Sequence, residues 1–146
     1  MLLSRSKVDW ILGYFAAGTT KRTSSIIDMA NYDGAMFTVG LGTILENGTL
    51  DAFVEQHTLN QTSGMARLAT TAAYTVLAAD ALKTQCCIVI DVYRPQERYL
   101  QCNITPAVAN AVVLGIHVVR YNGRTAPVTQ GTTVLASTSL SNPAEA

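Results

Sequence analysis

The chain has 146 residues, of which 49% are hydrophobic and only 14% are charged, and its ten basic residues balance its ten acidic residues. A chain of this length can form one domain whose core needs no disulfide or metal. Balanced charge excludes the positive surface that nucleic acid or an anionic membrane requires, and low charge leaves a surface that a protein partner can cover at little desolvation cost.

Residues 1–18 predict an N-terminal arm or a first strand, because an apolar stretch follows a polar lead-in at Trp10. This stretch is too short and interrupted to span a membrane, and Asp9 lies where the apolar part of a signal peptide would begin. We therefore expect a protein made in the cytoplasm without export. Trp10, Tyr14 and Phe15 are either interface anchors or part of the first core strand.

Alternating apolar residues predict strands over residues 26–30, 35–41 and 50–59. Turns are predicted at Asp33-Gly34 and Asn47-Gly48, which are pairs typical of tight turns. Residues 61–83 combine helical spacing with β-forming residue types. We interpret that segment as a loop, a strand near 73–77 and a helical turn around 80–83.

The most informative segment runs from Cys86 to Tyr121 and predicts three strands joined by two proline-bearing connections. The chain then continues extended past Pro127, and residues 137–146 predict a C-terminal tail. Together these patterns predict an all-β fold. We expect an antiparallel β-sandwich or jelly-roll-like single domain over residues 19–136, with extended termini.

Three cysteines leave two alternatives open. Cys86 and Cys87 point to opposite faces of a strand, so they cannot bind one ion together. Either all three are free thiols that act as small core residues, or Cys86 or Cys87 forms a bridge with Cys102.

The sequence offers no catalytic constellation. His57 and His117 lie within strand patterns and have no Cys, Asp or second His at ligand spacing. The strand acids that the pattern identifies are Asp51, Glu55 and Asp91, and nothing in the sequence brings them together. We therefore predict no enzyme activity, no cofactor and no metal.

The most unusual local chemistry is the cluster formed by Arg94-Pro95 and Arg98-Tyr99, close to Asp91 and Glu97. One interpretation is an ion pair inside the domain that fixes a hairpin corner. The other is an arginine contact with a carboxylate or backbone carbonyl of a neighbouring subunit. Arg124, beside the Asn122-Gly123 turn, leaves the same alternatives open.

Several segments resemble a group of small proteins encoded among the head genes of tailed bacteriophages. The resemblance covers roughly residues 20–146 and is carried by structural motifs. These are residues 27–42 (IDMANYDGAMFTVGLG), 91–105 (DVYRPQERYLQCNIT), 112–130 (VVLGIHVVRYNGRTAPVTQ) and the Asn142-Pro143-Ala144 close.

The resemblance implies a virion protein that decorates and cements the capsid. Its expected partners are the major capsid protein and further copies of itself, as a dimer or trimer, with no nucleic acid or membrane. Interface residues would be Trp10, Tyr14, Phe15, Arg94, Arg98 and Arg124. The alternatives are another virion part, such as a head–tail connector or tail subunit, and a carbohydrate-binding β-sandwich. A single Trp argues against the carbohydrate-binding alternative.

Overall fold

The computed structural model describes residues 2–68 and 72–139 and shows two antiparallel sheets packed face to face without a closed barrel. The predicted all-β sandwich is confirmed. Strands are numbered in chain order. Sheet A contains β1 (Lys7–Leu12), β2 (Phe15–Gly18), β5 (Gly34–Ile44), β9 (Cys86–Tyr93) and β11 (Ala111–Tyr121). Sheet B contains β3 (Arg22–Thr23), β4 (Ile27–Asp28), β6 (Thr49–His57), β7 (Ala66–Arg67), β8 (Ala72–Thr75) and β10 (Tyr99–Ala107).

Helical structure is limited to a 3-10 turn at Leu2–Ser4 and one short helix, α1 (Ala78–Ala81), within the described residues. No helix there is long and apolar enough to cross a membrane. The predicted strand and helical turn of the 61–83 segment are confirmed, with β8 and α1 a few residues earlier than expected. Part of this segment, residues 69–71, lies outside the described residues, as do residues 140–146 of the predicted tail.

Sheet A has the strand order β1-β11-β5-β9. β2 also pairs with β11, at residues further towards its start than those that pair with β1. In sheet B, β10 pairs with β3 and β4 on one side and with β6 on the other, and β6 then pairs with β7 and β8. The core lies between β5 and β11 of sheet A and β6 and β10 of sheet B. Burying each large apolar side chain there contributes about 1.5–3 kcal/mol. The fully buried members include Phe37, Val39, Leu41, Val54, Leu100, Ile104, Ile116 and Val118.

Three connections between long strands cross from one sheet to the other: β5 to β6, β9 to β10, and β10 to β11. The Asn47-Gly48 turn therefore does not close a hairpin, and its backbone instead bonds to Val76 before α1. The predicted hairpin corner at Arg94 is also wrong, because β9 and β10 belong to different sheets.

Some predicted strand limits also need correction. The first strand begins at Lys7, and Gly13 and Tyr14 separate it from β2. The strand predicted over 26–30 shortens to Ile27–Asp28. Within the predicted N-terminal arm or first strand, residues 7–18 thus contribute β1 and β2 to sheet A, where both pair with β11.

The segment after β11 covers the outer edge of β1. Gln130 accepts the Val8 N–H through its Oε1 at 2.9 Å, and Thr133 accepts the Trp10 N–H through its Oγ1 at 2.9 Å. Gly131 lies directly on Asp9, where a Cβ atom would collide with the carboxylate. Side chains therefore satisfy amides that an exposed edge strand would leave unpaired.

Candidate interaction surfaces

The outer face of sheet A is unusually apolar for a solvent-facing sheet. Among the outward side chains of β1, β5, β9 and β11, all within the described chain, Asp91 is the only carboxylate and no Lys or Arg is present. Antiparallel sheets with one solvated face usually carry polar residues there, so this face is a candidate for covering by a partner. Its most exposed apolar side chains are Trp10, Met36, Val89, Tyr93 and Leu114.

Two glycines allow aromatic rings to lie flat on this face. A Cβ at Gly115 would approach the Trp10 ring to 2.7 Å, and the same ring lies 5.6 Å from the His117 ring. At the other end of the face, Tyr121 covers Gly34 so closely that a Cβ would approach its ring to 2.2 Å. The rings of Trp10 and Tyr121 therefore occupy space that a side chain at either glycine would take, and they add aromatic area of the kind that protein interfaces use.

The Tyr121 hydroxyl donates to Asp91 Oδ1 at 2.7 Å. Burial, followed by this bond, raises the pKa of Tyr121 to about 12, so the phenol stays protonated at neutral pH. The one carboxylate of the face thus has its own hydrogen-bond donor.

The outer face of sheet B has the opposite character. Asp51 forms a salt bridge with Arg67 at 2.7 Å, and Asn103 donates to Glu55 Oε2 at 3.0 Å. The Arg67 guanidinium also lies 3.9 Å above the Phe53 ring, which is buried beneath it. These polar groups already have partners within the chain, so sheet A offers the more favourable surface for another protein.

The three aromatic residues proposed as anchors are placed differently. Trp10 is 50% exposed and Tyr14 is 64% exposed, so both are accessible to a partner. Phe15 is half-buried against the core, with the Arg22 guanidinium 4.2 Å from its ring centre. The N-terminal segment therefore leaves Trp10 and Tyr14 exposed, and Phe15 packs inward.

The three arginines chosen from the sequence line one groove. Arg94, Arg98 and Arg124 surround a cavity of about 450 Å³ beside the Tyr93 end of the outer face of sheet A. Asp33 and Glu97 also line this groove, which we call the arginine groove. Arg94 adopts a left-handed backbone conformation with φ 50°, where β9 ends. Within the described residues, Arg94 has no carboxylate at salt-bridge distance, and its guanidinium lies 5.2 Å from the Tyr93 ring centre.

Arg98 is paired inside the domain with Asp28, which is distant from it in the sequence. Its Nε and Nη2 donate to the two carboxylate oxygens of Asp28 at 2.8 and 2.7 Å. The hydrogen bond from Arg98 lowers the pKa of Asp28 and raises that of Arg98. Arg124 lies 3.6 Å from Asp33. The intradomain interpretation is therefore correct for Arg98, although its partner is neither Asp91 nor Glu97.

The sequence interpretation missed the buried ion pair between Arg120 and Asp9. Both side chains are largely buried, and Arg120 Nη1 also donates to the Asp28 carbonyl at 2.7 Å. Tyr32 packs its ring 5.1 Å from the Arg120 guanidinium. Asp9 directly precedes the apolar stretch that begins at Trp10, so nothing in the local sequence indicates a buried carboxylate.

A second cavity, of about 340 Å³, lies where β8 and α1 approach β9. Asp80 accepts hydrogen bonds from Lys83, at 2.6 Å, and from the Tyr74 hydroxyl. The hydrogen bond from Lys83, followed by that from Tyr74, lowers the pKa of Asp80 to about 2. Cys86 lines the same cavity, and burial raises the pKa of its thiol. The carboxylate that lines this cavity is therefore paired within the chain.

The three cysteines are free thiols. Cys102 is buried in the core of sheet B, and burial raises its pKa to about 12. Cys87 is exposed on the outer face of sheet A, so the expectation that all three act as core residues is wrong for this one. Within the described residues, no three His, Cys, Asp or Glu side chains lie close enough together to hold a metal ion.

Comparisons with known proteins assign this chain to no family. No family model and no curated protein matches this chain. One solved structure it resembles is dimeric latent PorU from Porphyromonas gingivalis, at 7% sequence identity and a TM-score of 0.49. That match covers 82% of this chain and 13% of the PorU chain.

Proposed function

We propose that this protein is a structural, non-catalytic virion subunit that binds the outside of a bacteriophage major capsid lattice and cements neighbouring capsomers. The observation that carries the proposal is the apolar, nearly uncharged outer face of sheet A, on a molecule whose opposite face is polar and internally paired. A face of this kind can be desolvated at low cost over a broad area. The resemblance of several sequence segments to phage head proteins points to the same role.

Each groove arginine has a part in this proposal. Arg94 is exposed and has no carboxylate partner among the described residues, so its guanidinium is available to a carboxylate or carbonyl of the capsid. Arg98 and Arg124 remain exposed beside it while paired within the chain. A cement protein needs only modest affinity at each contact, because many copies on one shell act together.

The test is cosedimentation with empty shells of the cognate major capsid protein. Trp10→Ser combined with Leu114→Ser removes two large apolar groups from the face without touching the core, and we expect binding to fall roughly tenfold or more. Leu59→Ser is the matched control, because Leu59 is 58% exposed and follows β6 of sheet B.

Electron microscopy of particles then separates the proposed role from a connector or tail role. Copies spread over the whole shell support the proposal, whereas a single ring at one vertex contradicts it. A folded Trp10→Ser/Leu114→Ser variant that binds shells as well as the unaltered protein would also overturn the assignment of this face.

A further inference from the structure

β9 is an edge strand that nothing in the described chain covers. It pairs with β5 on one side only, and Arg94 N donates to Asp33 O at 2.7 Å just beyond the end of this ladder. Because hydrogen-bonded and non-bonded positions alternate along an antiparallel pair, this bond fixes which amides face away from β5. They are the backbone groups of Cys87, Val89, Asp91 and Tyr93.

β9 also lacks the features that normally protect an edge. Its register with β5 is unbroken from Gly34↔Tyr93 to Leu41↔Cys86, so no bulge bends it, and its sequence contains no Lys and no Pro. Its inward side chains Ile88 and Ile90 are only half-buried, although they lie on the core face. A flat, apolar and uncovered edge of this length is a template for pairing with another strand.

We propose that β9 pairs antiparallel with β9 of a second copy of this chain, about a two-fold axis normal to sheet A. Charge and symmetry favour a second copy of this chain as the partner. The chain has no net charge, so two copies do not repel, and Asp91 is the only charged residue of the strand. An antiparallel pair of identical strands satisfies the exposed amides of both copies equally.

The charge of Asp91 disfavours the register centred on it, and we place the centre on Val89, near the middle of Cys86–Tyr93. Side chains directly opposite each other must lie on the same face, so odd-numbered residues face odd-numbered residues. Pairing centred on Asp91 would place two carboxylates side by side, which is destabilising. Pairing centred on Val89 places Asp91 opposite the uncharged Cys87 and keeps the two carboxylates about 13 Å apart.

This assembly does not depend on the capsid role, but it would serve that role. An axis normal to the sheet turns both outer faces in the same direction, so two copies present one continuous apolar surface with an arginine groove at each end.

Cysteine cross-linking tests the register directly. In a Cys87→Ser background, Val89→Cys places two thiols opposite each other, at about 5.5 Å between Cα atoms, which is within the range for a disulfide. We expect a covalent dimer on mild oxidation. Tyr93→Cys in the same background is the matched control, because the proposed register holds the two residues about 26 Å apart. Equal cross-linking of both variants, or none of Val89→Cys, overturns the register.

Sedimentation velocity tests the edge itself. The sedimentation coefficient of the unaltered protein should correspond to twice the mass of one chain. That of Val89→Lys should correspond to a single chain at the same concentration. Leu114→Lys also introduces a lysine on the outer face of sheet A, but on the interior strand β11. This variant should remain dimeric. An unaltered protein that stays a single chain at its highest soluble concentration overturns the proposal. Dissociation of Leu114→Lys also overturns it, because association would then use the face of the sheet.

Discussion

Trp10, the single tryptophan of the chain, lies over a backbone position that excludes other residue types. Gly115 has φ 142°, and a Cβ there would approach the Leu12 carbonyl oxygen to 2.5 Å as well as the Trp10 ring. Because Gly115 has no side chain, the Trp10 ring can lie against the backbone of sheet A. An aromatic residue held in one position loses less conformational freedom when a partner binds.

Replacing Gly115 by Ala should displace the ring. We expect Gly115→Ala to lower the free energy of unfolding by roughly 1–3 kcal/mol and to shift tryptophan emission to longer wavelength, because the ring becomes more exposed. Gly13→Ala is the control, since no atom lies within 4 Å of its Cβ position. Unchanged emission from folded Gly115→Ala would contradict this placement of Trp10.

Two arginine–carboxylate pairs differ mainly in exposure. The Arg120 and Asp9 side chains are 9% and 16% exposed, whereas Arg98 and Asp28 are 55% and 39% exposed. Removing one member of a buried pair leaves a charge without water or partner, at a cost of about 3–5 kcal/mol. Removing a member of an exposed pair costs about 0–1 kcal/mol, because water replaces it.

Arg120→Ala should therefore destabilise the fold far more than Arg98→Ala. Urea unfolding of both variants measures the difference, and a double-mutant cycle with Asp9→Asn isolates the buried pair. Similar losses for the two arginine variants would show that Arg120 is not as isolated from solvent as its contacts indicate.

At the scale of the elements, alternation along β9 and β10 and the β-branched run of β11 were enough to predict the three strands. Leu100, Cys102 and Ile104 form one face of β10, as their spacing predicts, and all three are fully buried. The neighbours of each strand were not predictable, because antiparallel pairing depends on contacts far apart in the sequence. The Arg98 partner, 70 residues away, was missed for this reason.

The two edges of sheet A illustrate the same limit. The residues after Tyr121 cover β1. Nothing in their sequence, or in the sequence at the start of the chain, indicates this contact. Gln130 joins the two segments: it accepts the Val8 N–H and donates through Nε2 to the Ser6 carbonyl at 2.8 Å. This arrangement replaces a ladder of backbone bonds by side-chain bonds.

Gln130→Ala should leave the Val8 amide without its partner. We expect a loss of about 1–3 kcal/mol in stability and faster hydrogen exchange at Val8, with little change in β5. Gln96→Ala, at an exposed position between β9 and β10, is the control for loss of a Gln side chain. Unaltered exchange at Val8 would mean that other groups protect the β1 edge.

For the whole molecule, the face and the edges of sheet A have separate roles. One edge is closed by the chain itself, the other is open, and the apolar face lies between them. If two copies join at β9 and the face binds a capsid as proposed, both faces meet the capsid at once, and dissociation requires both to leave together. Binding to a shell should then depend on the link between copies as well as on the face.

The Val89→Cys variant in the Cys87→Ser background allows this dependence to be measured without further substitution. At a protein concentration low enough to separate reduced copies, we expect the oxidised dimer to bind shells roughly a hundredfold more tightly than the reduced protein. Adding reductant to the bound dimer should release it, whereas the unaltered protein should be indifferent to reductant under the same conditions. Equal binding by the oxidised and reduced forms would show that single copies occupy the lattice, and that the two faces do not act together.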